Sequence, residues 1–166
     1  MEIKGRAHCF GDDVNTDYII SGKYKFKTLD MKELAKHVME DLDPEFAQKV
    51  KPGDFVVAGK NFGCGSSREQ APLALLHAGV GAVLARSFAR IFYRNAINTG
   101  LPVVECDTSE IDPGDELLLD LEKGILKNLT KQKEIPVKAL PPFMLKILRD
   151  GGLVAHFRKY GTFKLD

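Results

Sequence analysis

The chain is short of the features that most often announce a function. Its 24 Lys and Arg against 23 Asp and Glu leave a net charge of +1, too weak a field to draw in nucleic acid or an acidic membrane surface, so neither partner is expected. No apolar run reaches the length of a membrane span, and Met1-Glu2-Ile3-Lys4-Gly5 has no signal-peptide core, which implies a cytoplasmic protein. The cysteines are three, Cys9, Cys64 and Cys106. They are odd in number and far apart, so they form neither a disulfide framework nor a C-x-x-C metal site, and no metal is expected on this chain. Cys9 and Cys106 fall at expected strand ends and read as small core residues. No linker or repeat divides the 166 residues. They make one domain, 1–166, long enough to bury about 70% of its unfolded surface.

Familiar loop motifs are missing too. Gly63-x-Gly65-x-x-Arg68 lacks the third glycine of a dinucleotide fingerprint, and no Gly-Lys-Ser/Thr follows for a P-loop. No G-x-S-x-G elbow runs through Ser66. Asp12, Asp13 and Asp17 lack the spacing of a calcium loop. Asp12 and Asp13 read as a solvated turn.

What is present is Asn61-Phe62-Gly63-Cys64-Gly65-Ser66-Ser67-Arg68-Glu69. An apolar run, Phe55–Ala58, reads as a buried strand before it. Glu69–Ala78, stopped by Gly79, reads as a helix after it. In such a strand-to-helix turn, Gly63 and Gly65 let the backbone approach a ligand. The helix start offers unpaired amides to an anion. Arg68 can grip a carboxylate with two hydrogen bonds, and Ser66 and Ser67 add hydroxyls. The competing explanation is a capping box between Ser66 and Glu69. It leaves Ser67, Arg68 and the glycines unexplained. It also sets Pro72 beyond the first turn, so the helix is either kinked there or begins later than Ser66. Cys64 is a further candidate nucleophile, but no histidine is close in sequence to serve as its base.

From Lys51 onward, strands and helices alternate: Phe55–Ala58, Glu69–Ala78, Ala82–Ala85, Phe88–Asn98, Val103–Cys106. Short connections make this a parallel sheet with right-handed crossovers, whose ligands sit beyond the carboxyl ends of the strands. Arg90, Arg94 and Asn95, on the second of these helices, read as packing or interface groups. Upstream, Ile3–Phe10 is a strand and Leu29–Met39 a helix capped by Asp30, with His37 at its surface. Downstream, Asp115–Leu121, Ile125–Leu129 and Ile135–Val137 form an antiparallel β layer. Pro141-Pro142 opens a helix to Arg149, and Leu153–Phe157 is expected to pair as a last strand. The fold class is α/β.

Three blocks in order are far more specific than any short pattern: FGDDVNTDYII at Phe10–Ile20, NFGCGSSRE at Asn61–Glu69 and SFARIFYRNAINTGLP at Ser87–Pro102. They resemble the family of 3-isopropylmalate dehydratase small subunits and the mobile fourth domain of the aconitase superfamily, homoaconitase small subunits included. The resemblance implies a swivelling β/β/α domain. It also implies a large-subunit partner carrying a [4Fe–4S] cluster, and a hydro-lyase that interconverts 2- and 3-isopropylmalate in leucine biosynthesis. By motif match Ser66 is the base, Ser67 and Arg68 hold substrate carboxylate, and Asp17 supports the site. Lys23, Tyr24, Lys25, Phe26, Lys27 and Thr28, a basic and aromatic loop, would then read the group that differs between substrates. Three alternatives stay open: homoaconitase or a related hydro-lyase, a non-catalytic carboxylate- or phosphate-binding domain, and a free-standing hydrolase using Cys64 or Ser66.

Overall fold

The computed structural model describes residues 1–21, 30–66 and 69–161. Its centre is β1, Glu2–Cys9. The expected strand–helix alternation follows as β2 (Phe55–Val57), α4 (Gln70–His77), β3 (Ala82–Ala85), α5 (Arg90–Thr99) and β4 (Val103–Glu105). Among the described residues, three short helices, α1 (Thr16–Ile19), α2 (Met31–Ala35) and α3 (Phe46–Lys49), lie between β1 and β2. β5 (Glu116–Asp120), β6 (Ile125–Asn128) and β7 (Lys133–Pro136) come next, then α6 (Pro142–Arg149) and α7 (Leu153–Tyr160).

Among the described residues the strands form one sheet in the order β4-β3-β2-β1-β5-β6-β7. β1, β2, β3 and β4 are parallel, and β5, β6 and β7 continue the sheet antiparallel from the other edge of β1. β1 therefore joins the parallel layer to the antiparallel one. Burial follows this division. Every residue of β2 and β3 is buried, as both faces of a parallel strand must be covered. β5 alternates buried Leu117 and Leu119 with half-exposed neighbours, the period of a sheet whose second face meets water. α2 packs on α4, while α6 and α7 pack on α5.

Two expectations are corrected. Leu153–Phe157 is not a strand but the first half of α7, entered through Gly152 at φ +116 and closed by Gly161 at φ +70. Five residues could not separate the two periods. The helical one shows only when His156 counts as interior: it is fully buried, with Nδ1 2.8 Å from Asp150 Oδ2. The helix expected over Leu29–Met39 is also shorter. Asp30 does cap it, accepting from the amide of Lys32 at 2.9 Å. Regular helix stops at Ala35, and the chain turns at Met39, φ +59.

One polar tie of the sheet is Asp54, 5% exposed just before β2. Its carboxylate accepts from the amide of Arg6 (3.0 Å), the amide of Lys51 (2.9 Å) and faces His8 Nε2 at 2.8 Å. Burial pushes this carboxyl up, but the hydrogen bonds from His8, Arg6 and Lys51 outweigh it and hold it below its ordinary value. A lowered folded-state value means stability that is present above the ordinary carboxyl range and is lost as pH falls through the folded value. Asp54→Asn has one acceptor oxygen where the carboxylate has two. It is expected to lower the unfolding free energy by about 1–3 kcal/mol near neutral pH and to flatten the loss of stability on acidification. Urea melts near neutral pH and in mild acid measure both effects, and a mutant as stable and as acid-sensitive as the parent would contradict this account.

Candidate active site

Past their carboxyl ends β1, β2 and β3 do not simply diverge. The chain after β2 runs between the segments that follow β1 and β3 and is hydrogen-bonded to both. On one side the amide of Asp13 donates to Lys60 O (2.8 Å), that of Gly63 to Val14 O (2.7 Å), and that of Thr16 to Cys64 O (2.8 Å). On the other, the amide of Arg86 donates to Gly59 O, that of Phe62 to Ser87 O, and that of Ala89 to Phe62 O, each at 3.0 Å. Parallel bridges Asn15–Cys64 and Phe62–Phe88 mark the same alignment. The loop leading to Ser66 is thus an irregular continuation of the sheet, held from both sides.

Side chains reinforce it. Asp12 and Asp13 are exposed, as expected, but they also tie the loop: Asp12 accepts from the amide of Lys60 at 2.7 Å and Asp13 from Asn61 Nδ2 at 3.1 Å. Phe62 is fully buried, edge-on to Phe92 with centroids 5.2 Å apart and to Phe88 at 6.0 Å. Gly63 has φ +84, and a Cβ built on it would overlap Phe92. Its freedom lets α5 close on the loop, whereas the sequence suggested room for a ligand.

Ser66 stands exposed at the end of this loop. The capping box does not form. The N-cap position of α4 is Glu69, which has no side-chain capping bond, and Ser66 Oγ instead lies 3.2 Å from Thr16 Oγ1. With α4 beginning at Gln70, Pro72 falls in its first turn, where a missing N–H breaks no helical bond. Thr16 is the first residue of α1, whose N-cap Asn15 accepts from the amides of Asp17 and Tyr18. Asp17, the predicted supporting carboxylate, is exposed beside Thr16 on that first turn. Ser67, Arg68 and the loop Lys23–Thr28 lie outside the described residues.

Ser66, Thr16 and Gly65 form one side of a cavity of about 430 Å³, and Arg90, Arg94 and Asn95 of α5 form another. Among the described residues neither Arg90 nor Arg94 is ion-paired. Two like charges a helical turn apart cost a few tenths of a kcal/mol, about 0.2–0.5, unless an anion sits between them. That spacing was the available signal for these residues, which sequence reasoning assigned to packing or an interface. Thr16 gave no such signal, since it reads as a turn residue. Burial and then Asp13 push the Cys64 thiol above its ordinary range, so it stays protonated at neutral pH and makes a poor nucleophile. Burial likewise raises Cys9 to about 11 and Cys106 to about 12.

A family model described as the aconitase C-terminal domain matches residues 15–108. The chain belongs to the aconitase C-terminal domain family. It is 62% identical over 165 residues to 3-isopropylmalate dehydratase small subunit 2 of Archaeoglobus fulgidus, covering 99% of this chain and 100% of that protein. It is 57% identical over 157 residues to a methanogen homoaconitase small subunit of Methanothermobacter thermautotrophicus, covering 95% and 91%. The crystal structure of 3-isopropylmalate dehydratase from Methanocaldococcus jannaschii superposes with a TM-score of 0.93 at 52% identity, covering 97% of this chain and 96% of that one. The matched span opens at Asn15 and takes in the Ser66 loop and α5, so every residue named on the cavity wall falls within the aconitase C-terminal domain.

Gly63 tests how the loop is positioned. Gly63→Ala adds a Cβ against Phe92 at a left-handed φ, expected to destabilise by about 2–5 kcal/mol. Chemical denaturation measures this, and a loss under about 1 kcal/mol would show that α5 does not close on the loop as described.

Proposed function

We propose that this chain is the small subunit of a 3-isopropylmalate dehydratase, interconverting 2- and 3-isopropylmalate by loss and return of water, a step of leucine biosynthesis. The observation that carries the reading is Ser66. It borders a cavity whose other wall holds Arg90 and Arg94, so a hydroxyl-bearing residue and two cationic ones line one space of dicarboxylate size. The relatives named as dehydratase small subunits support the substrate.

In this reading the Ser66 oxygen, as alkoxide, takes the proton from the carbon beside a substrate carboxylate. The C–H electron pair becomes the new C=C bond, and the hydroxyl on the neighbouring carbon leaves as water after taking up a proton. The return of water reverses these transfers on the other carbon. A serine hydroxyl is a weak base unless its anion is stabilised by fixed donors. Ser67 and Arg68 hold a carboxylate, with Asp17 supporting the site. Lys23–Thr28, separated from α1 by three residues in sequence, reads the group that distinguishes substrates.

The described residues of this chain do not fit an iron–sulfur cluster. Among the described residues no three His, Cys, Asp or Glu side chains are grouped, and Cys9, Cys64 and Cys106 lie on separate elements. The [4Fe–4S] cluster implied by the resemblance belongs in this proposal to the large subunit. A second reading, homoaconitase, is favoured by the two arginines without a carboxylate partner among the described residues, which would suit a substrate with a further carboxylate. No described helix is long and apolar enough to cross a membrane.

The test is reconstitution. The lone chain is expected to be inactive, and isopropylmalate turnover to appear on addition of the large subunit under anaerobic conditions. Ser66→Ala is then expected to keep subunit binding and lower kcat by a factor on the order of 100 or more. Turnover by the lone chain, or wild-type kcat in Ser66→Ala, would overturn the reading. Assay of homoaconitate in parallel decides between the two substrates.

A further inference from the structure

We infer that Thr16 is a positioning residue for Ser66, its single hydroxyl proton serving as a two-position hydrogen bond that stabilises the Ser66 oxygen once it has lost its own proton. This rests on reading Ser66 as the base. The geometry behind it is independent of the substrate. Thr16 is 2% exposed while Ser66 is open to the cavity. Thr16 Oγ1 lies 2.9 Å from Ser66 O and 3.2 Å from Ser66 Oγ.

A hydroxyl has one proton to donate and two lone pairs to accept with. When Thr16 donates to Ser66 O, the contact to Ser66 Oγ is Ser66 donating to Thr16. That arrangement suits a neutral serine: its proton rests on Thr16 and its lone pairs face the cavity. It does not suit an alkoxide, which has no proton to donate and would meet a lone pair of Thr16. A turn about the Cβ–Oγ1 bond alone moves the Thr16 proton from Ser66 O to Ser66 Oγ. The neutral bond to the carbonyl is then exchanged for a charge-assisted one, roughly twice as strong. No heavy atom needs to move.

The rest of Thr16 is fixed for this purpose. Its amide donates to Cys64 O at 2.8 Å, its carbonyl accepts from the amide of Ile20 at 3.0 Å, and Asn15 caps the turn it begins. A β-branched side chain has little freedom at χ1. Gly65, at φ +97, turns the chain so that both the carbonyl and the hydroxyl of Ser66 meet Thr16. Among the described residues, the charged and titratable groups on the segments that meet Ser66 are Arg90 and Arg94 on α5, Asp13 and Asp17 to either side of Thr16, and Cys64 and Glu69 along its own segment. Arg68 lies outside the described residues. None of these is altered by replacing Thr16, so a change in the ionisation of Ser66 can be traced to the lost donor.

The experiment compares Thr16→Val, Thr16→Ser, Ser66→Ala and the Ser66→Ala/Thr16→Val double variant, each assembled with the large subunit. Thr16→Val keeps the shape and loses the proton. It is expected to lower kcat on the order of 10–100-fold with KM within about twofold, and to move the pH limb that reports base ionisation to higher pH. Thr16→Ser is expected to keep that limb in place. In the Ser66→Ala background Thr16→Val is expected to change kcat no further, since a residue acting through another is not additive with it. A kcat lowered equally at every pH would mark Thr16 as merely structural and overturn the inference, as would a Thr16→Val enzyme matching wild type. Should Thr16→Val fail to fold, Thr16→Ala decides: a limb displaced to higher pH by about a pH unit supports the inference, and one left in place overturns it. Turnover retained by Ser66→Ala would instead defeat the base reading itself, so the two failures are distinguishable.

Discussion

The structure depends on how β1 divides its two edges. Glu2–Arg6 pair antiparallel with β5, and Ala7–Cys9 pair parallel with β2. Between the two regimes the turn before β2 must come down onto β1. A Cβ on Gly5 would overlap Gly53 O and the Cα of Asp54, so only glycine admits that turn. Asp54 then reaches the amide of Arg6 and the ring of His8 and closes the junction. Here one residue without a Cβ and one buried carboxylate let an eight-residue strand serve as the spine of both half-sheets.

With β1 so placed, the parallel strands end on a common rim, and the segments leaving them are close enough to go on pairing. This is why an irregular stretch such as Gly59–Ser66 can be rigid. Its order comes from amides and carbonyls of its neighbours, and its burial from Phe62 wedged against Phe88 and Phe92. Loops positioned by a scaffold commonly carry function, and this one carries Ser66 to where α1 and α5 both meet it. The site is therefore a property of three segments distant in sequence, at Asn15–Thr16, Gly63–Ser66 and Arg90–Asn95.

That distribution explains what could and could not be read from the sequence. β2 and β3 were legible because a strand buried on both faces is a short, continuous apolar run. The α2 cap was legible because Asp30 acts on the residue two positions on. α7 was not, because its interior is completed by a histidine whose partner, Asp150, neutralises the penalty for burying it. At the site, Ser66 and its loop stood out by composition. Thr16 did not, since a threonine in a polar turn has no pattern of its own and its meaning comes from a contact across 50 residues. Arg90 and Arg94 were visible as a like-charged pair, but only the cavity shows that they share a wall with Ser66. Local chemistry was readable, and long-range pairing was not.

The proposed chemistry also accounts for why a serine base should sit so openly. In water an alkoxide gains little from a nearby hydroxyl or arginine, because solvent screens both. Under a covering surface the same Thr16 proton and the same guanidinium groups act through a lower dielectric and are worth several times more. Ile91, 53% exposed at the cavity wall, is an apolar side chain that such a cover would remove from water. On this reading an isolated chain holds Ser66 in place without making it basic, and assembly supplies both the missing half of the site and the exclusion of solvent that turns a well-placed hydroxyl into a base.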